Sequence, residues 1–178
     1  MRFTAAVENA LGEGGKTLPL SEKSVLANIG LRNHPGIKEL EKQGFKFYFV
    51  NDGEYYSGSL SLLLKRKTFQ VHEHVDLFVG VSGNVMLVDY DFYRQNQSIL
   101  KQAARENGLK IVYVPEEEAE LHPANFLPLS PGRVLVERRA IKTIQTLESN
   151  GLKVIPTVVD LRGNRLGGGG LRCIFNEA

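Results

Sequence analysis

The 178 residues hold one cysteine, Cys173, so the chain cannot close a disulfide on itself, and a reducing compartment is expected. No apolar run approaches the roughly 18 residues that a bilayer-spanning helix needs. The first eight residues, Met1-Arg2-Phe3-Thr4-Ala5-Ala6-Val7-Glu8, hold no signal-peptide core. A soluble, cytoplasmic protein without a membrane partner is the expectation. No basic block exceeds Lys65-Arg66-Lys67, and 22 basic and 20 acidic side chains are interspersed to a net charge of +2. Nucleic-acid binding therefore has no support. His72 and His74 have ligand spacing, but no second cysteine or carboxylate cluster accompanies them, so no metal or other cofactor is expected. What remains is ordinary for a globular chain: 42% hydrophobic and 24% charged residues, at a length that suits one domain with a sizeable core.

What is present is repetition. Leu18-Pro19-Leu20-Ser21 with Val25-Leu26 is echoed by Leu127-Pro128-Leu129-Ser130 with Val134-Leu135, and more weakly by Val79-Gly80-Val81-Ser82 with Met86-Leu87. Each copy predicts two strands about a tight turn, Gly83-Asn84 and Pro131-Gly132 being good turn chemistry. A helical pattern follows each hairpin: His34 to Gln43, Phe92 to Asn107, and Arg138 to Asn150. Each helix meets a glycine (Gly44, Gly108, Gly151), where a left-handed cap is expected, and then a strand, 45–50, 109–114 or 152–159. The unit is ββαβ, occurring three times with the start of a fourth. Line stacking would need capping repeats with polar outer faces, which are absent here, so a ring is the expected assembly. Asn51-Asp52-Gly53 reads as a turn and Glu116-Glu117-Glu118 as a solvated loop.

The polar residues keep step with the repeats. Eight residues before Ser21, Ser82 and Ser130 stand Glu13, His74 and His122, and in a ring such positions face one centre. Asp76 lies two residues beyond His74, on the same side if the segment is a strand. Gly167-Gly168-Gly169-Gly170-Leu171-Arg172 runs into Cys173 at a fourth such position. Glycine permits close backbone approach and dihedrals closed to other residues. A thiol, an imidazole and carboxylates brought together suit covalent chemistry, with paired carboxylates gripping a planar cation such as guanidinium. Bland readings stand beside this one: Cys173 as a small buried hydrophobe in a glycine-rich tail, His74 as a core histidine, Asp76 as a turn or surface residue, and His122, before proline, as a structural loop residue. The set in repeat phase favours the site.

Glu13-Gly14-Gly15, His74-Val75-Asp76 and Gly168-Gly169-Gly170-Leu171-Arg172-Cys173 together resemble the guanidino-group-modifying enzymes of the pentein fold: arginine, agmatine and peptidylarginine deiminases, dimethylarginine hydrolases and amidinotransferases. His74-Val75-Asp76-Leu77-Phe78 and Lys16-Thr17-Leu18-Pro19 are similar to the peptidylarginine deiminase form. The resemblance implies an α/β fold of pentein-type ββαβ repeats, an α/β propeller of five units around a central site. Residues 1–178 would form one such domain, the C-terminal portion of the ring. It implies Cys173 as nucleophile, His74 as acid and base, Glu13 as the acidic residue of the Glu-Gly-Gly motif and Asp76 as a guanidinium ligand. Arg172 either binds a substrate carboxylate or serves the loop. The implied reaction is cofactor-free hydrolysis of a small guanidine substrate. Amidinotransfer, or a non-catalytic module like the pentein ring of a ribosome-associated translation factor, is the alternative. Two departures bear on this. Lys16 stands where the family often has aspartate, and three units are present where the ring needs five, so a homo-oligomer or a longer chain is expected.

Overall fold

The computed structural model describes residues 7, 10, 11, 14–56, 69–72, 74–158 and 170–172. Three ββαβ units are present, as the repeats predict. The first comprises β1 (Thr17–Ser21), β2 (Ser24–Asn28), α1 (Pro35–Lys42) and β3 (Lys46–Val50). A hairpin that the repeat pattern does not announce follows, β4 (Gly53–Tyr56) antiparallel to β5 (Phe69–His72). The second unit is β6 (Val79–Ser82), β7 (Val85–Val88), α2 (Tyr90–Glu106) and β8 (Lys110–Tyr113). The third is β9 (Leu127–Ser130), β10 (Arg133–Val136), α3 (Ile141–Ser149) and β11 (Lys153–Pro156). In each unit the first two strands are antiparallel and the third runs parallel to the second. Among the described residues the three-stranded sheets and the hairpin are separate, and none closes on itself, so the expected propeller ring is not seen in them. No described helix is long and apolar enough to cross a membrane.

The same local chemistry turns each helix into its third strand. Gly44, Gly108 and Gly151 have φ of 86°, 64° and 86°, a region that favours glycine. The following amide of Phe45, Leu109 or Leu152 donates to a carbonyl in the last helical turn, that of Leu40, Ala104 or Leu147, at 3.0, 2.9 and 3.1 Å. This is the hydrogen-bonded helix end expected of glycine. Helix starts are more varied. The His34 ring accepts from Gly36 N at 3.1 Å, with Pro35 at the first helical position. Asp89 accepts from Asp91 N and Phe92 N at 3.0 Å each. Helix α3 has no local cap, Ala140 preceding it. Its orphan amides of Lys142 and Thr143 instead donate to Glu118, at 2.7 and 2.8 Å, and the Thr143 hydroxyl adds a third bond at 2.7 Å. This corrects the solvated-loop reading of 116–118: Glu116–Leu121 is a 3-10 helix, and Glu118 is buried because it supplies the missing cap.

The register holds a second correction. The β1–β2 ladder shifts between Pro19 and Ser21, and the β9–β10 ladder shifts where Ser130 and Pro128 pair with successive residues. Leu20 and Leu129 are thus extra residues that the unbroken β6–β7 ladder lacks. Counting back equally from the three serines is one residue out of step in the middle unit.

Packing runs between units. Leu18, Leu26, Tyr48 and Val50 of the first unit bury against Met86, Val88, Phe92, Leu100 and Ala103 of the second. Leu87, Val112 and Val114 of the second bury against Val134, Val136 and Leu147 of the third. A polar seam ties the first two units where Tyr48 donates to Glu106 at 2.6 Å and Ser21 to Asn107 at 2.8 Å. The corresponding face of the third unit, Leu127, Leu135 and Ile155, is partly exposed, and Leu129 is 47% exposed.

Candidate active site

His74 and Asp76 do not lie on a strand. His74 is extended (φ −81°, ψ 103°) and leads into a 3-10 turn, Val75–Leu77, so the alternation argued from a strand does not apply. The turn is held by Phe78 N donating to Val75 O at 3.1 Å, and Val75, Asp76 and Leu77 are each 1% exposed. Val75 and Leu77 join the core between the first two units, which drives Asp76 inward with them.

A second 3-10 turn, Gly14–Lys16, packs against this one. Gly15 lies so close to His74 that an added Cβ would stand 2.5 Å from the ring Nδ1. Any larger residue would displace the imidazole, which explains the second glycine of the Glu-Gly-Gly motif. Glu13 itself lies outside the described residues.

Asp76 is the electrostatic centre. Neither carboxylate oxygen has a hydrogen-bond partner among the described residues. Burial pushes the carboxyl above its ordinary value, while the charges of Arg172 and His74 pull it back. A carboxylate so placed is costly unless paired with a cation.

Asn125 joins this turn to the segment that precedes Cys173. It is 1% exposed. Its amide Nδ2 donates to the Asp76 carbonyl at 2.8 Å, and its Oδ1 accepts from Arg172 N at 2.7 Å. The Asn125 main-chain carbonyl shares that same donor at 3.1 Å. Gly170 packs on the side chain, where an added Cβ would be 2.4 Å from Oδ1. Leu171 is buried and Arg172 partly so; Cys173 lies outside the described residues. His122, which follows the Glu116–Leu121 helix, is 8% exposed with φ 47° and accepts from Asn125 N at 3.0 Å, turning the chain that presents Asn125.

Of the residues read as a site, the structure thus brings His74, Asp76 and Arg172 into one neighbourhood, and it adds Gly15 and Asn125. Asn125 escaped the repeat count because the phase picked out His122. Its position just before the apolar Phe126-Leu127 run was the available signal.

The arginine deiminase family profile matches residues 64–176, more than half of the chain. No curated protein sequence matches. Among solved structures the chain is similar to the DDAH of Pseudomonas aeruginosa, in complex with citrulline, at 19% identity and TM-score 0.60, covering 89% of this chain and 52% of that one. It is also similar to agmatine deiminase of C. jejuni, at 20% identity and TM-score 0.58, covering 90% and 53%. An amidinotransferase of saxitoxin biosynthesis from Microseira wollei matches at 17% and TM-score 0.59, covering 90% and 43%. The chain therefore spans about half the length of these proteins or less. The fold likeness and the family match agree, and the chain belongs to the arginine deiminase family, within the pentein superfamily of guanidino-group-modifying proteins.

Proposed function

We propose that this chain supplies the nucleophile, the acid–base group and a guanidinium-binding carboxylate of a deiminase-type hydrolase acting on arginine or an arginine derivative. The observation that carries the reading is Asp76, a carboxylate 1% exposed, with no hydrogen-bond partner for either oxygen among the described residues and with His74 and Arg172 near enough to act on its charge. A guanidinium, planar and always charged, is the ligand that such a group suits best. The similar structures include hydrolases and amidinotransferases, which supports the substrate class without separating the two reactions.

In this reading Asp76, with Glu13, holds the guanidinium nitrogens and orients the central carbon. The Cys173 thiolate attacks that carbon, forming a C–S bond. His74 protonates the departing nitrogen, the C–N bond breaks, and ammonia or an amine leaves a thiouronium on Cys173. The now neutral His74 takes a proton from water, whose oxygen attacks the same carbon. The C–S bond breaks, returning the thiolate and releasing a ureido product. In amidinotransfer an acceptor amine takes the place of water. Arg172 either meets a substrate carboxylate or serves the loop, and Arg172→Ala separates these by whether KM for a carboxylate-bearing guanidine rises.

The test is covalent labelling. A haloacetamidine presents an amidinium to Asp76 and an electrophilic carbon to the thiol. Mass spectrometry of the labelled chain should find one adduct, on Cys173, and none in Cys173→Ser. Labelling elsewhere, or only at the rate of a neutral haloacetamide, would sink the enzymatic reading and favour a non-catalytic pentein module.

A further inference from the structure

We propose that Asn125 is a positioning residue for the reaction, holding the main chain beside the nucleophile in register with the guanidinium-binding carboxylate. The inference deepens the hydrolase reading and rests on it. Nothing in composition or repeat phase marks Asn125. Its claim comes from what it joins. One side-chain amide reaches two segments, 49 residues upstream and 47 downstream: it donates to the Asp76 carbonyl and accepts from the amide of Arg172, the residue before Cys173.

The chemistry of the position demands an amide. Aspartate keeps the acceptor for Arg172 N but loses the donor to Asp76 O, and it adds a second carboxylate beside one already disfavoured by burial. Leucine has the volume and neither bond. Glutamine adds a methylene where Gly170 already leaves no room for a Cβ. The Arg172 amide is also shared with the Asn125 main-chain carbonyl, so truncation of the side chain loosens this link without abolishing it. Nor does Asn125 float: its own amide is fixed on His122 O, and it is buried. It is thus a rigid spacer between two parts of the site. Attack on a bound guanidinium tolerates little misplacement, an error of 1 Å costing on the order of 100-fold in rate.

Two measurements on the purified chain and its Asn125→Ala variant test this. Hydrogen exchange at the Arg172 amide should quicken in the variant. Unchanged protection would overturn the tether, whatever the enzymatic outcome. The second is the ratio of Cys173 labelling by a haloacetamidine to labelling by a neutral haloacetamide, compared at equal folded fraction. It should fall about 100-fold, with kcat lowered and KM little changed on any guanidine turned over. Asn125→Asp should restore part of the Arg172 protection but not the ratio. Faster exchange with an unchanged ratio would show that Asn125 only stabilises the fold, and would overturn the positioning role. If the unsubstituted chain shows no selective labelling at all, the hydrolase reading fails, and the positioning role falls with it whatever the exchange data show.

Discussion

Asp76 joins a proposed ligand-binding charge and a stability cost in one side chain. Its carboxyl is raised by burial, so between the ordinary carboxylate range and the raised value the folded chain holds a proton that the unfolded chain releases. Stability from this group is therefore full below the unfolded value and is lost as pH rises through the folded one. Asp76→Asn keeps the shape and removes the charge. At pH 7 to 8 the variant should be more stable than the parent by about 1–3 kcal/mol, the typical cost of an unsatisfied buried polar group. The gap should close on acidification. Thermal melts across pH 4 to 8 check this, and a parent as stable as the variant at pH 8 would mean that Asp76 is paired when ionised. In the proposed reaction the same substitution should cut kcat/KM on any guanidine substrate, because it removes the charge assigned there to holding the guanidinium.

Helix ends show where sequence speaks and where it falls silent. Gly44, Gly108 and Gly151 were legible because a left-handed helix end is a local demand that glycine meets. The three ββαβ units and the helices follow from such local signals. The cap of α3 was not legible: Glu118 reaches it across 24 and 25 residues, and a run of three glutamates looks solvated until one of them is needed. The β4–β5 hairpin escaped because its two strands lie outside the repeat. The extra residues Leu20 and Leu129 escaped because a bulge changes the ladder and leaves the motif unchanged. Glu118→Ala should destabilise the chain by about 1–3 kcal/mol, with the loss concentrated at α3. Hydrogen exchange at Lys142 and Thr143 reads this directly. Protection there that survives the substitution would assign the cap to another group.

At the scale of the whole molecule the units bury one another in sequence until the third, where the pattern stops. Leu26 with Tyr48, and Leu87 with Val112, are paired positions sealed by the next unit, whereas Leu135 and Ile155 in the same pairing stay partly exposed beside Leu129. An apolar sheet face of this kind promotes association unless something covers it. The purified chain should therefore run in light scattering above its 19.8 kDa mass, and Leu129→Lys should shift it toward that mass. A cooperative monomer would show that the face needs no cover. The contacts about Asn125 have a consequence for the order of folding. Each unit closes through neighbours in sequence, but the Asp76–Asn125–Arg172 link spans 49 and 47 residues and needs two units already docked. Contacts of long sequence separation form late, because chain closure must be met before they give any return. On refolding, helical signal should recover before the proposed selective labelling of Cys173 does, so that labelling would serve as a clock for the completion of the fold.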